Sequence, residues 1–132
     1  MSAMLQTLRA LQDANTRRDK PAILALIAPD LVYHYHVGSK PVVGPDGLSR
    51  FLDRYWAMTS ELVWRIDHHA ESGDKLLVEG YEEYLEAATG RRVAHSYMGI
   101  FEFRDGKISG WRDYFEKGDP PPAPAAAAPA GG

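Results

Sequence analysis

Beyond Thr59 the chain is cut by three tight-turn signals, Ser72-Gly73-Asp74, Thr89-Gly90 and Asp105-Gly106. Between them run long stretches rich in Val, Ile, Leu, Tyr, Phe and Trp: "LVWRIDHHA", "KLLVEGYEEYLEA", "RRVAHSYMGIFEF" and "KISGWRDYFE". β-Branched and aromatic runs bounded by Gly and Asp predict strands, and Asp-Gly is a strong short-range hairpin signal. Half of the chain is therefore committed to an antiparallel meander. The remainder must supply whatever covers one face of that sheet.

The N-terminal part reads as helix. Met4, Leu5, Leu8, Leu11 and Asn15 follow helical spacing with polar residues between them. Asp19 is placed to cap a second, shorter helix that accepts Pro21 in its first turn. Ile23, Leu24 and Ile27 form its buried side, and Pro29 is expected to end it. "LVYHYHV", residues 31–37, switches to strand-favouring residues, and "GPDGLSRFLDRYWAM" predicts a third helix with Leu48, Phe51, Leu52, Tyr55 and Trp56 on one face. Helices first and a meander afterwards give an α+β domain with three N-terminal helices packed on a curved, mostly antiparallel sheet. Strong curvature, with Gly80, Gly99 and Gly110 as places to bend, makes that arrangement a cone with an open mouth. One domain is expected over residues 1–118. "DPPPAPAAAAPAGG", in 119–132, has the composition of a disordered, partly polyproline tail.

Strand alternation sorts the candidate site residues, because positions two apart point the same way. Ser109, Trp111, Asp113 and Phe115 share the face with the larger apolar bodies, which is placed inward, and Ile108, Gly110, Arg112 and Tyr114 share the other. Val93, His95, Tyr97, Gly99, Phe101 and Phe103 form one set on the preceding strand, and Leu76, Val78, Gly80, Glu82 and Tyr84 form one on the strand before that. An inward Asp113 beside Trp111 and Phe115 loses water, which raises its affinity for a proton. A second carboxylate nearby, Glu82, pushes the two affinities apart and allows acid–base work. Both sheet faces carry apolar residues, so the outer face is expected to meet a second copy in a homodimer.

The quoted segments "DLVYHY", "VVGPDGLSRFL", "VEGYEEY" and "GIFEFRDGKISGWRDYFE", with the three helices, resemble the NTF2-like superfamily, in particular its SnoaL-like and limonene-epoxide hydrolase-like branch. The resemblance covers residues 3–117. It implies the cone-shaped fold and, on the epoxide hydrolase pattern, a water-activating base at Asp113 beside Trp111, an acid at Glu82 and a water-holding tyrosine at Tyr33. The pattern's asparagine falls on Tyr35. Its arginine, which bridges the two carboxylates, falls on Gly80. His95, on a pocket-facing set, is the candidate to replace that bridge by donating between Glu82 and Asp113. Tyr35, Tyr84, Tyr97, Trp111 and Phe115 are the expected substrate-contacting residues.

Other patterns carry less. Tyr33, His34, Tyr35 and His36 alternate, so the two histidines fall on one face and the two tyrosines on the other, with no third metal ligand nearby. His68 and His69 diverge on a strand, and Trp64 with Ile66 reads as core. There is no cysteine, hence no thiol nucleophile, disulfide or thiolate metal site. Fifteen Lys and Arg against eighteen Asp and Glu give a net charge of -3, which argues against a nucleic-acid surface. No apolar run is long enough to span a bilayer and no secretory signal pattern opens the chain, so a cytoplasmic protein with no membrane partner is expected. Three functions fit: a small enzyme with neither cofactor nor metal that opens epoxides, a proton-transfer enzyme resembling ketosteroid isomerases or polyketide cyclases, or a non-catalytic pocket for a small hydrophobic molecule.

Overall fold

The computed structural model describes residues 2–116, so the expected tail at 119–132 lies outside the described residues. Helix α1 spans Ala3–Arg17, α2 Lys20–Leu24 and α3 Gly44–Met58. The strands are β1 Ile27–His34, β2 Val42–Val43, β3 Thr59–Ser72, β4 Lys75–Glu86, β5 Arg92–Arg104 and β6 Lys107–Tyr114. They form one six-stranded mixed sheet in the order β2-β1-β6-β5-β4-β3. The helices pack against this sheet in the α+β cone expected of the sequence.

Local chemistry accounts for the helices. The Ser2 hydroxyl accepts the Leu5 N–H at 3.1 Å and satisfies one of the donors left free at the start of α1. Leu5, Leu8, Leu11 and Ala14 bury one stripe of that helix. Arg18 ends it in the left-handed conformation, at φ 53°, and its guanidinium donates to the carbonyls of Trp56 and Thr59, tying the α1 end to the end of α3. Asp19 caps α2 through the Ala22 N–H, as the sequence indicates.

Two expectations need correction. Helix α2 stops at Leu24 rather than at Pro29, and Ile27 and Pro29 belong to β1. That strand pairs parallel with β6, and the pairing shifts register between Ile27 and Val32, so the proline sits in an irregular stretch where no ladder donor is required. The strict alternation assumed for the last strand also fails at its start. The β5–β6 register shifts between Glu102 and Phe103, which pair with Gly110 and Ile108, leaving Ser109 as an extra residue. Ile108 therefore turns inward and is fully buried, although simple alternation put it on the outer face with Arg112 and Tyr114.

The inner sheet face and the helices enclose the core. Phe101, Leu8, Leu31, Leu48, Leu76 and Ile108 are wholly buried there. Core and cavity adjoin on this face, because Leu11, Ile23, Leu48 and Leu52 belong to the core and also line the cavity.

Candidate active site

The cavity measures about 650 Å³, a volume suited to a small organic molecule. Each predicted site residue, Asp113, Glu82, His95, Tyr33, Tyr35, Tyr84, Tyr97, Trp111 and Phe115, lines it. Alternation placed most of them correctly because β4, β5 and β6 remain in register through this region: Glu82 pairs with His95, Gly80 with Tyr97, and Gly99 with Asp113.

Asp113 stands on the inner face of β6. The Trp111 indole N–H donates to its Oδ1 at 3.3 Å and the Tyr33 hydroxyl reaches its Oδ2 at 3.5 Å. Tyr33 is itself stacked on Trp111, with ring centroids 4.0 Å apart. Protein surrounds the carboxyl on most sides, and only its cavity side is open. Its proton affinity is pushed up to about 8, first by burial and then by the negative charge of Glu82, against the lowering effect of the Trp111 and Tyr33 hydrogen bonds. Gly99 makes this position possible. A Cβ built there would lie 2.9 Å from Asp113 Oδ1.

Glu82 forms a second cluster. His95 Nε2 lies 3.2 Å from its Oε1, and the Tyr55 hydroxyl donates to its Oε2 at 3.2 Å. The hydrogen bond to Glu82 raises the His95 pKa above the ordinary histidine value, with partial burial opposing it. The other ring nitrogen of His95 faces the Ser96 carbonyl at 3.4 Å. With one nitrogen at Glu82 and the other at Ser96, His95 does not bridge to Asp113. The expected substitute for the missing arginine is thus half made. His95 also stacks on Phe115 at 4.2 Å, and His36 meets that ring edge-on at 4.7 Å.

Gly80 has a structural reason to lack a side chain. A Cβ at this position would fall 1.9 Å from the backbone carbonyl oxygen of Arg65 on β3 and 3.1 Å from the Tyr97 ring on β5. Strand β3 presses in because its pairing with β4 shifts register between Ile66 and His68. An arginine cannot occupy position 80 in this sheet.

Three cavity residues were missed or misplaced by the sequence. Trp64, read as core, lines the cavity, and its indole N–H donates to the Tyr97 hydroxyl at 2.6 Å. Tyr55, read as one of the apolar residues of α3, hydrogen-bonds Glu82. His36 lies beyond the end of β1, in a turn that brings it to the cavity wall and off the face shared with His34. An indole or phenol on an apolar stripe always carries a polar end that needs a partner when buried, and that was the available signal.

Residues 8–111 match the SnoaL-like domain family. The chain belongs to that family. Among solved structures, this SnoaL-like chain is similar to an NTF2-like protein of unknown function from Burkholderia pseudomallei, at 26% identity and a TM-score of 0.77, over 88% of this chain and 92% of that one. It is also similar to an LEH-like epoxide hydrolase from M. tuberculosis, at 26% identity and a TM-score of 0.75, over 86% and 83% of the two chains. A putative SnoaL-like polyketide cyclase from Jannaschia shares the fold at 15% identity, with a TM-score of 0.77 over 86% of this chain and 85% of that one.

Proposed function

We propose that this SnoaL-like protein is an enzyme that moves a proton at a carbon next to a carbonyl group of a small, mostly apolar substrate, with Asp113 as the base. The observation that carries the proposal is the Asp113 carboxyl itself: open to the cavity, seated among Trp111, Tyr33 and Phe115, and raised to about 8. A base of that affinity is well matched to removing a weakly acidic C–H proton near neutral pH, and about a tenth of it is ionised at pH 7. The carboxylate takes the proton from carbon, the C–H electron pair moves toward the carbonyl oxygen, and the same carboxyl returns the proton to carbon. While it rests on the carboxyl, at the open side of the cavity, the proton exchanges with solvent. Such a cycle requires one mobile carboxylate and no charge bridge, which accords with the closed position at Gly80.

Glu82 and His95 fit a supporting role in this scheme. Both Glu82 oxygens accept hydrogen bonds, from His95 and Tyr55, so neither presents a proton to the cavity. The Glu82 charge raises the Asp113 proton affinity, His95 lowers it, and the pair so tunes the base. Tyr35, Tyr84, Trp111 and Phe115 supply apolar contact for the substrate body.

The 26% identity to an LEH-like epoxide hydrolase favours a second reading, addition of water to an epoxide. Product analysis separates the two. Incubation of the protein in deuterium oxide with cyclohex-3-enone is expected to give cyclohex-2-enone labelled at C4, the carbon that receives the returned proton, and to leave deuterium at C2 of the recovered cyclohex-3-enone, and Asp113→Asn is expected to abolish both. Conversion of a cyclohexene oxide to a diol carrying oxygen from labelled water, with no exchange on the ketone, would instead establish the hydrolase.

A further inference from the structure

The deep part of the cavity holds a buried phenol whose proton is uncommitted. Tyr33 directs its hydroxyl at Asp113 and Tyr55 directs its own at Glu82. Tyr97 differs. Its oxygen accepts the Trp64 indole N–H at 2.6 Å, and among the described residues no acceptor takes the Tyr97 proton. Only 7% of Tyr97 is exposed, and the residue lines the cavity. A buried donor without an acceptor is costly unless a ligand completes it.

The seat of this phenol is built with care. Its ring lies over Gly80 on β4 and beside Gly99 on its own strand, where added Cβ atoms would come within 3.1 and 3.5 Å of it. Trp64, which fixes the oxygen, lies parallel to Trp111 at 6.0 Å and an interplanar angle of 8°. Trp111 in turn donates to Asp113. The donor and the carboxyl are thus tied through two stacked indoles. Burial raises the Tyr97 pKa, so its hydroxyl keeps its proton throughout the neutral range.

We infer that Tyr97 donates its free hydroxyl proton to a neutral carbonyl oxygen of the substrate, that Trp64 is its positioning residue, and that this end of the cavity selects cyclic ketones over carboxylates. The inference rests on the proposed proton transfer at carbon and specifies its substrate class. The charges of Asp113 and Glu82 both act on the Tyr97 phenol, so a substrate carboxylate here would face Glu82 and, above about pH 8 where Asp113 is ionised, a second negative group. The arginines that line the cavity, Arg54 and Arg91, are exposed and offer that end no compensating charge. A neutral carbonyl meets no such opposition, and the oxygen gains the hydrogen bond as negative charge develops on it.

The test uses the full chain with cyclohex-2-enone labelled with carbon-13 at the carbonyl. The bound carbonyl signal is expected to move downfield in the native protein and in Tyr81→Phe, an outer-face control. In Tyr97→Phe the displacement is lost, and in Trp64→Phe it is reduced. Turnover of cyclohex-3-enone falls about 100- to 1,000-fold in Tyr97→Phe, the loss usual for one oxyanion donor. Cyclohexanecarboxylate at pH 9 is expected to bind at least tenfold more weakly than the ketone. An undisplaced signal, failure of the native protein to bind the ketone, an equal displacement in Tyr97→Phe, or tighter binding of the carboxylate overturns the inference. A displacement that depends on Tyr97 in a protein without deuterium exchange upholds the donor and removes the proton-transfer reading, so the two claims fail separately.

Discussion

At the scale of single residues, the site depends on two carboxylates given different surroundings. Burial raises Asp113, whereas Glu82 is held by His95 and Tyr55. The raised carboxyl has a consequence for stability. Between its unfolded value, near 4, and its folded value of about 8, the folded state binds more protons than the unfolded one, so stability falls as pH rises through that window. Asp113→Asn removes this loss. Thermal melts are expected to place the variant at least about 4 °C above the native protein at pH 9, with the gap closing toward pH 4. An equal gap at both pH values would show that burial does not perturb this group. The two inner glycines respond differently to a methyl group. At Gly80 the obstacle is backbone, and Gly80→Ala should cost about 3 kcal/mol or more by denaturant titration. At Gly99 it is the end of the Asp113 side chain, so Gly99→Ala should leave the melting temperature within about 4 °C while displacing the carboxyl and lowering turnover at least about tenfold. Asp113, Glu82 and His95 were legible because strand parity follows from residue order. The reason for Gly80 was not, since it lies in a β3 carbonyl that only the paired sheet brings near.

At the scale of elements, the bulges decide which side chains face the cavity. Ser109 is the extra residue of β6, and it lets Ile108 and Trp111 both point inward although they are three positions apart. Deleting Ser109 would restore unbroken pairing and turn the residues before it outward, exposing Ile108. Circular dichroism and denaturant titration of this deletion are expected to show a loss of several kcal/mol or failure to fold, and near-native stability would contradict the register described. This also marks the limit of reading strands from a sequence. Alternation reached Trp111, Asp113 and Phe115 correctly because they follow the bulge, and it misassigned Ile108 because Ser109 carries no local sign of being unpaired. The short α2 failed for a similar reason. Pro29 looked like a helix stop, but a parallel partner strand accepts a proline where its register shifts.

At the scale of the molecule, one sheet face closes a cavity and the other is open. Met98 and Tyr114 pair across β5 and β6 and expose an apolar patch beside the Arg112–Glu102 ion pair at 2.7 Å. A patch with both charge signs is complementary to itself under a two-fold axis, and we propose a second copy of the chain as its occupant. Sedimentation equilibrium is expected to give twice the chain mass for the native protein and a folded monomer for Met98→Glu. A native monomer at tens of micromolar would remove the proposal. The helices of the described residues include none long and apolar enough to cross a membrane. The fold holds one largely buried carboxyl at the wall of a cavity, and the pH dependence of the proposed proton exchange with carbon tests the account most directly. For deuterium exchange into cyclohex-3-enone, kcat/KM is expected to rise about tenfold per pH unit up to about 8 and then level, with the reaction lost in Asp113→Asn. A profile that levels near the ordinary carboxylate value of about 4, or an Asp113→Asn variant that exchanges at the native rate, would contradict it.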